Sequence, residues 1–296
     1  MSRARTTVGI VVAIGLIIAA IFWETPIAGF IFNWKENNVV DELYLSSLRE
    51  NVVDKGLKGI FSLEAPRALA DGGSDAMMVY DTMDITSTPK YRLWSGSSWG
   101  SEALATDVSG EIRHMVVKYA PDADEAIMVV LTTTGEIQAQ VFDGTGWGSV
   151  TALGITNNAN GSRENGSLYR QFDIEYEQSS GDAVVVYSDG TADLNYQVWN
   201  GSGWSGETNI DIPSTGRPYW VEMASRPGSD ELAFISLDSN IDVYGMRWTG
   251  STWDAMGASA VWDDAAAIAT EKCIDVAFEK TSGDIMFVWG DATSTD

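Results

Sequence analysis

Carboxylates and tryptophans are the residue types in this 296-residue chain whose placement could carry chemistry. Aspartates gather in one recurring short segment, giving Asp81, Asp84, Asp189, Asp193, Asp238, Asp242 and Asp291. Clustered carboxylates and carbonyls suit Ca²⁺, so a cation site is one reading. Aspartate is also the ordinary residue of tight turns, through a side-chain bond to nearby backbone. With no dense Asp-x-Asp-x-Asp-Gly loop, turn chemistry is the stronger reading. The 12 tryptophans raise a second chemistry, stacking on sugar rings. Those at repeated positions read better as packing, which leaves Trp220 and Trp262 as candidates for exposed contacts. One histidine, His114, excludes a site needing two imidazoles, and one cysteine, Cys273, excludes an internal disulfide. Each reads as structural, His114 at a strand start and Cys273 as a buried thiol. No nucleophile–base constellation, phosphate loop or metal motif stands in the chain, and catalysis by carboxylates alone stays open.

The elements that must position these residues are set by a repeat. An aromatic, any residue, Gly, Ser or Thr, any residue and Trp recur at Trp94 to Trp99, Phe142 to Trp147, Trp199 to Trp204 and Trp248 to Trp253. The closing tryptophans 99, 147, 204 and 253 are 48, 57 and 49 residues apart, a period that suits a four-stranded propeller blade. Two turns compete inside the motif. A type II′ turn with Gly at its first central position places the two aromatics opposite each other across the strands. A type I′ turn shifted by one residue, at Asp143-Gly144 or Asn200-Gly201, sends them to opposite faces.

Extending outward from the third motif recovers a whole unit. Phe172 to Tyr176 alternates apolar and polar and reads as a half-buried strand a, Ala183 to Tyr187 is a buried strand b, and Leu194 to Trp199 leads into the hairpin between c and d. Strand b recurs at residues 76–80, 126–131, 232–235 and 285–289, and strand a at 114–119, 219–223 and 274–278. The first copy lacks a clear strand a, and the fifth stops after b. The fold expected is all-β, a β-propeller of about four full repeats plus a half repeat, preceded by a hydrophobic helix. A meander puts the b–c turns and the d–a linkers on one side, the long-loop face. There Asp189, Asp193, Asp238, Asp242, Trp220 and Trp262 are the candidate binding residues, because long loops on a rigid scaffold usually carry binding.

The repeats from about Ala76 to Trp289 resemble blades of extracellular β-propellers, in particular sialidase-type BNR repeat proteins and fucose-lectin-like propellers, through hairpins such as Asp143-Gly144-Thr145-Gly146-Trp147. That resemblance implies a propeller and confers no ligand. No copy has the sialidase Asp-box spacing, and no arginine trio with a tyrosine and acidic pair is present. Fucose lectins place an Arg, a Glu and a Trp in each inter-blade pocket. Here Arg92 and Arg247 stand near two hairpins while Gln140 and Gln197 stand elsewhere, so the pocket is not repeated.

Residues 1–7 form a cytoplasmic tip in this reading, since Arg3 and Arg5 precede an apolar run and obey the positive-inside rule. Residues 8–34, broken by Glu24, Thr25 and Pro26, form a transmembrane or signal-anchor helix. An uncleaved anchor is preferred to a signal peptide, because the small-residue pattern at Ala68-Leu69-Ala70 lies far beyond the apolar run. Residues 35–58 form an amphipathic helical stalk capped by Asn38, 59–73 a connector with an irregular first strand as one option, and 74–296 the repeats. A formal charge of −24 argues against nucleic acid as a partner. Asn160, Asn165 and Asn200 lie in Asn-Gly-Ser sequons open to glycosylation. The expected role is a membrane-anchored module at the cell surface, extracytoplasmic, binding a glycan or protein or serving as a scaffold, and not an enzyme. One alternative is a pilin-like filament subunit assembled through the N-terminal helix, and a second is a carboxylate-based glycosidase or sialidase relative.

Overall fold

The computed structural model describes residues 61–64, 76–82, 87–156, 169–257, 260–266 and 271–292. The tip, the 8–34 segment, the 35–58 stalk and Asp84, Asn160 and Asn165 lie outside the described residues. Those described contain no helix and fold into four four-stranded sheets and one two-stranded sheet. Blade 1 holds β1 (Phe61–Glu64), β2 (Ala76–Tyr80), β3 (Lys90–Trp94) and β4 (Ala103–Leu104). Blade 2 holds β5 (Ile112–Tyr119), β6 (Ala126–Thr132), β7 (Glu136–Phe142) and β8 (Thr151–Ile155). Blade 3 holds β9 (Phe172–Tyr176), β10 (Ala183–Ser188), β11 (Leu194–Trp199) and β12 (Thr208–Ile210). Blade 4 holds β13 (Pro218–Ser225), β14 (Leu232–Asp238), β15 (Val243–Trp248) and β16 (Trp253–Asp254), and the last sheet pairs β17 (Ile274–Phe278) with β18 (Ile285–Trp289). Every pairing is antiparallel between consecutive strands. The sheets meet through their first strands, β1, β5, β9, β13 and β17 in series, which is the radial layout of a propeller.

The first repeat does have a strand a. It is β1, paired Phe61 to Tyr80 through Glu64 to Met77, inside the stretch read as a connector.

Sequence alone made strand a half-buried, with a wet polar face. In the structure Phe172, Asp173, Ile174, Glu175 and Tyr176 are all buried. The reason is that blade 3 has no free face, since its sheet is sandwiched between those of blades 2 and 4. Strand b shows the same physics in apolar form. Val184 and Val186 of β10 join the core shared with Val221 and Met223 of blade 4, whereas Val185 joins the core shared with Ile127 and Val129 of blade 2. Burial on both faces is what selects a continuous apolar run instead of alternation. Each such side chain contributes roughly 1.5–3 kcal/mol on leaving water.

The structure also decides the hairpin. Gly96, Gly144, Gly201 and Gly250 have φ of 82, 87, 80 and 90°, and the residue after each stays out of the positive region, the type II′ pattern. Trp94 faces Trp99, Phe142 faces Trp147, Trp199 faces Trp204 and Trp248 faces Trp253. Their ring centroids lie 5.5, 5.4, 5.7 and 5.3 Å apart. In the second and third copies Asp143 and Asn200 also cap the turn, each accepting two backbone N–H bonds through Oδ1.

Candidate functional site

The long-loop face was expected to gather aspartates. Asp189 Oδ1 accepts from Thr191 N at 2.8 Å and Thr191 Oγ1 at 2.6 Å, closing the β10–β11 turn. Asp193 follows in that turn, its N–H donating to Thr191 Oγ1 at 3.1 Å. In the next blade Asp238 is fully buried and accepts from Asn240 N at 2.8 Å, Asp242 N at 3.0 Å and the Ser214 hydroxyl. Asp242 is pushed up by burial and then by the Asp238 charge beside it. Each pair therefore stabilises its own turn. Among the described residues no three acidic, His or Cys side chains stand close enough together to hold a metal ion.

The two tryptophans correct an expectation of exposure. Trp220 is only 5% exposed and stands edge-on to Tyr169, with centroids 6.0 Å apart. Trp262 is half-buried against Phe287 at 4.7 Å and lies over Gly245, where a Cβ would meet its ring. Both fill the junction between blade 4 and the last sheet. His114 is buried in β5, and Cys273 is half-buried against the same junction. Asn200 is exposed at its hairpin tip.

A charged network on the axis went unread in the sequence. Lys118 of β5 meets Glu175 of β9 at 2.8 Å with both side chains buried. Arg170, just before β9, pairs with Asp173 at 3.4 Å and with Glu222 of β13, and Glu222 also receives Lys272 at 2.8 Å. Asp173 Oδ2 further accepts Met223 N at 2.8 Å. These pairs link blades 2 to 3, 3 to 4, and 4 to the last sheet, beside the strands that converge on the axis. Burial, then the Arg170 charge, pulls Lys272 down to about 8 despite its carboxylate neighbour. The signal for this network was in plain view: Lys118, Asp173, Glu175 and Glu222 stand inside strands a, and Arg170 and Lys272 two residues before β9 and β17.

Between the blades a second repeated device appears, two residues before the first hairpin aromatic. Gln140, in β7, donates to Thr106 O at 2.7 Å and accepts Thr106 N at 3.0 Å, binding the linker that leaves blade 1. Gln197, in β11, donates to Leu153 O of blade 2 at 2.8 Å and to Tyr187 Oη at 2.7 Å. Tyr187 itself donates to Glu207 at 2.7 Å. Blade 1 carries the same arrangement with a cation in place of the amide. Arg92 Nε donates to Tyr80 Oη at 3.3 Å, Tyr80 donates to Glu102 at 2.6 Å, and Lys90 stands 3.8 Å from Glu102. Burial, then the bond to Glu102, pushes the Tyr80 phenol up to about 12, so it remains a neutral donor. Arg92 is half-buried and the Glu102 side chain 40% exposed, so a guanidinium, an ammonium and a carboxylate are within reach of solvent. Arg247 is placed otherwise. It lies one residue before its hairpin aromatic and meets Asp254 at 2.9 Å and Glu231 at 3.6 Å.

No family model matches the chain, and no curated protein matches its sequence. Its fold is similar to that of the BP39L lectin from Burkholderia pseudomallei, with a TM-score of 0.55 at 10% identity, covering 79% of this chain and 67% of that one. It is similar also to the SapL1 lectin, described in complex with alpha methyl fucoside, with a TM-score of 0.50 at 13% identity, covering 79% and 72%. At such identities the likeness is one of fold, and it agrees with the radial sheets, the inner strands and the meander order in making this chain a β-propeller related in architecture to lectin propellers.

Proposed function

We propose that this chain is a glycan-recognising propeller, held at the outer face of a membrane by residues 8–34. The observation that carries the reading is the Arg92, Lys90, Tyr80 and Glu102 set. In blades 2 and 3 the equivalent glutamines are occupied by the neighbouring blade, while in blade 1 the position holds a solvent-reachable cation beside a carboxylate. Paired charged donors and acceptors suit adjacent sugar hydroxyls, because bonds to charged groups are about twice as strong as neutral ones. The lectin architecture supports the reading, and a fucoside is the ligand named with one such neighbour. The anchor rests on Arg3 and Arg5 followed by the apolar run.

A glycan panel that includes methyl α-fucoside, applied to the purified full chain, tests the first part. Replacing Arg92→Met is expected to weaken the best binder about tenfold or more, the equivalent of roughly 1.5–3 kcal/mol for bonds to a charged group. If no glycan binds, or if Arg92→Met leaves binding unchanged, the reading fails. Protease protection of residues 8–34 in intact membranes tests the anchor separately.

A further inference from the structure

The four hairpins close one turn with four different residues. The residue after the first aromatic is Ser95, Asp143, Asn200 or Thr249, and its N–H donates across the turn to Ser98 O, Gly146 O, Gly203 O or Thr252 O. In the second and third copies the side chain makes the same bonds. Asp143 Oδ1 accepts from Thr145 N at 2.9 Å, Thr145 Oγ1 at 2.7 Å and Gly146 N at 3.0 Å. Asn200 Oδ1 accepts from Ser202 N at 3.1 Å, Ser202 Oγ at 2.9 Å and Gly203 N at 3.0 Å. A carboxylate and an amide therefore serve this turn equally.

Asn200 is followed by Gly201, and an asparagine is lost when the backbone nitrogen of the next residue attacks its Cγ. Three features of the hairpin tip favour that step. Three donors converge on Oδ1, where negative charge develops as Cγ becomes tetrahedral, and donors already in place at such an atom stabilise the transition state. Among the described residues neither the Gly201 N–H, which must attack, nor Asn200 Nδ2, which must leave, is held by a hydrogen bond. Asn200 and Gly201 are exposed, and a Cβ at Gly201 would meet nothing within 4 Å, so the Gly201 peptide has room to turn toward Cγ.

We propose that Asn200 is a deamidation site, at which the folded hairpin converts its own amide into a carboxylate. The bond from Gly201 N to Cγ forms as the Cγ–Nδ2 bond breaks, and the Gly201 proton leaves with Nδ2 as ammonia. The succinimide then takes up one water. Opening between N and Cγ restores the backbone and leaves aspartate at position 200, while opening at the former peptide carbon leaves isoaspartate. The donors around Oδ1 receive the aspartate as they receive Asp143, whose carboxyl is held below its usual range by the Thr145 hydroxyl and then by the Thr145 and Gly146 N–H groups. The product adds a negative charge to the hairpin tip of blade 3 and makes the third hairpin a copy of the second.

The test follows the full chain in mildly alkaline buffer over weeks, with tandem mass spectrometry locating amide-to-acid exchange at Asn200. Conversion in the folded chain is expected, with one heavy oxygen taken up per event in heavy-oxygen water. Gly201→Ala crowds the attacking nitrogen and resists the φ of 80°, and it should slow conversion by about tenfold or more. Ser202→Ala removes one donor from Oδ1 and should slow it by about threefold or more. Asn200→Asp should fold with the Trp199–Trp204 ring pair intact, read by near-ultraviolet circular dichroism. An Asn200 that stays an amide in the folded chain, when a free peptide of residues 193–210 has converted, overturns the proposal. Unslowed conversion in Ser202→Ala overturns the part given to the donors, and a lost tryptophan signal in Asn200→Asp overturns the claim that the product keeps the turn.

Discussion

Blade 3 and the last sheet are two answers to the same stretch of sequence. Phe172 to Tyr187 and Ile274 to Trp289 share a five-residue strand a, the Gly-Asp turn and an aspartate at the second position of strand a. Yet Val184 and Val186 are fully buried while their counterparts Met286 and Val288 are 66% and 49% exposed. The residues are equally apolar, so the difference is made by what lies alongside. A blade gains its stability from its neighbours, as a repeat that cannot bury its own faces must.

The axial ion pairs give the largest expected contrast. Arg170→Ala leaves Asp173 and Glu222 buried without their guanidinium, and a loss of about 3–5 kcal/mol is expected in denaturant unfolding. Lys272→Ala, at the equivalent place before β17, removes a part-exposed partner of Glu222 while Arg170 remains, so about 1 kcal/mol or less is expected. Equal losses would mean that the last sheet is as tightly integrated as blade 3.

Core truncation sharpens the same contrast at a smaller scale. Val186→Ala opens space in the core shared by blades 3 and 4, for which about 1–2 kcal/mol is expected, while Val288→Ala should cost under about 0.5 kcal/mol. A smaller effect is expected at the matching turn glycines. Gly181→Ala meets nothing within 4 Å, so only the strain of positive φ remains, about 1 kcal/mol. A Cβ at Gly283 would in addition strike the Arg226 guanidinium, and Gly283→Ala should also loosen the Arg226–Glu231 pair, visible as a shift of the Arg226 side-chain resonances.

The contrast also explains what could be read in advance. Strands b and the four hairpins were legible because continuous apolar runs and Gly at a forced φ are local signals. The choice between type II′ and I′ was not, since Asn200-Gly201 satisfies both and only the pairing of Trp199 with Trp204 separates them. Asp173 and Glu175 were misread because alternation implies a wet face only in a sheet with one free side. Trp220 and Trp262 were misplaced for a related reason, since departing from the repeated hairpin did not put them at the surface. The Arg92 site shows in sequence only as one cation among glutamines, and its meaning came from learning that Gln140 and Gln197 are engaged by the neighbouring blade.

The pH dependence of Lys272 carries the comparison to its finest grain. Its ammonium lies 2.8 Å from Glu222, yet burial and the Arg170 charge lower it to about 8, below its ordinary 10.5. A lysine lowered in the folded state is protonated more readily in the unfolded chain between those two values. Its charged form therefore works against folding below about pH 8, and the penalty fades as pH rises toward 10.5. Over that window this group should make stability climb with pH, and Lys272→Met should flatten the slope. The Lys272 Cε resonance should titrate with a midpoint near 8 in the full chain. A midpoint close to 10.5 would show that water reaches the ammonium freely. The last sheet would then stand apart from the axis that holds blades 2, 3 and 4 together, and the weak coupling expected of Lys272→Ala would follow from solvent access instead of from Arg170 keeping Glu222 paired.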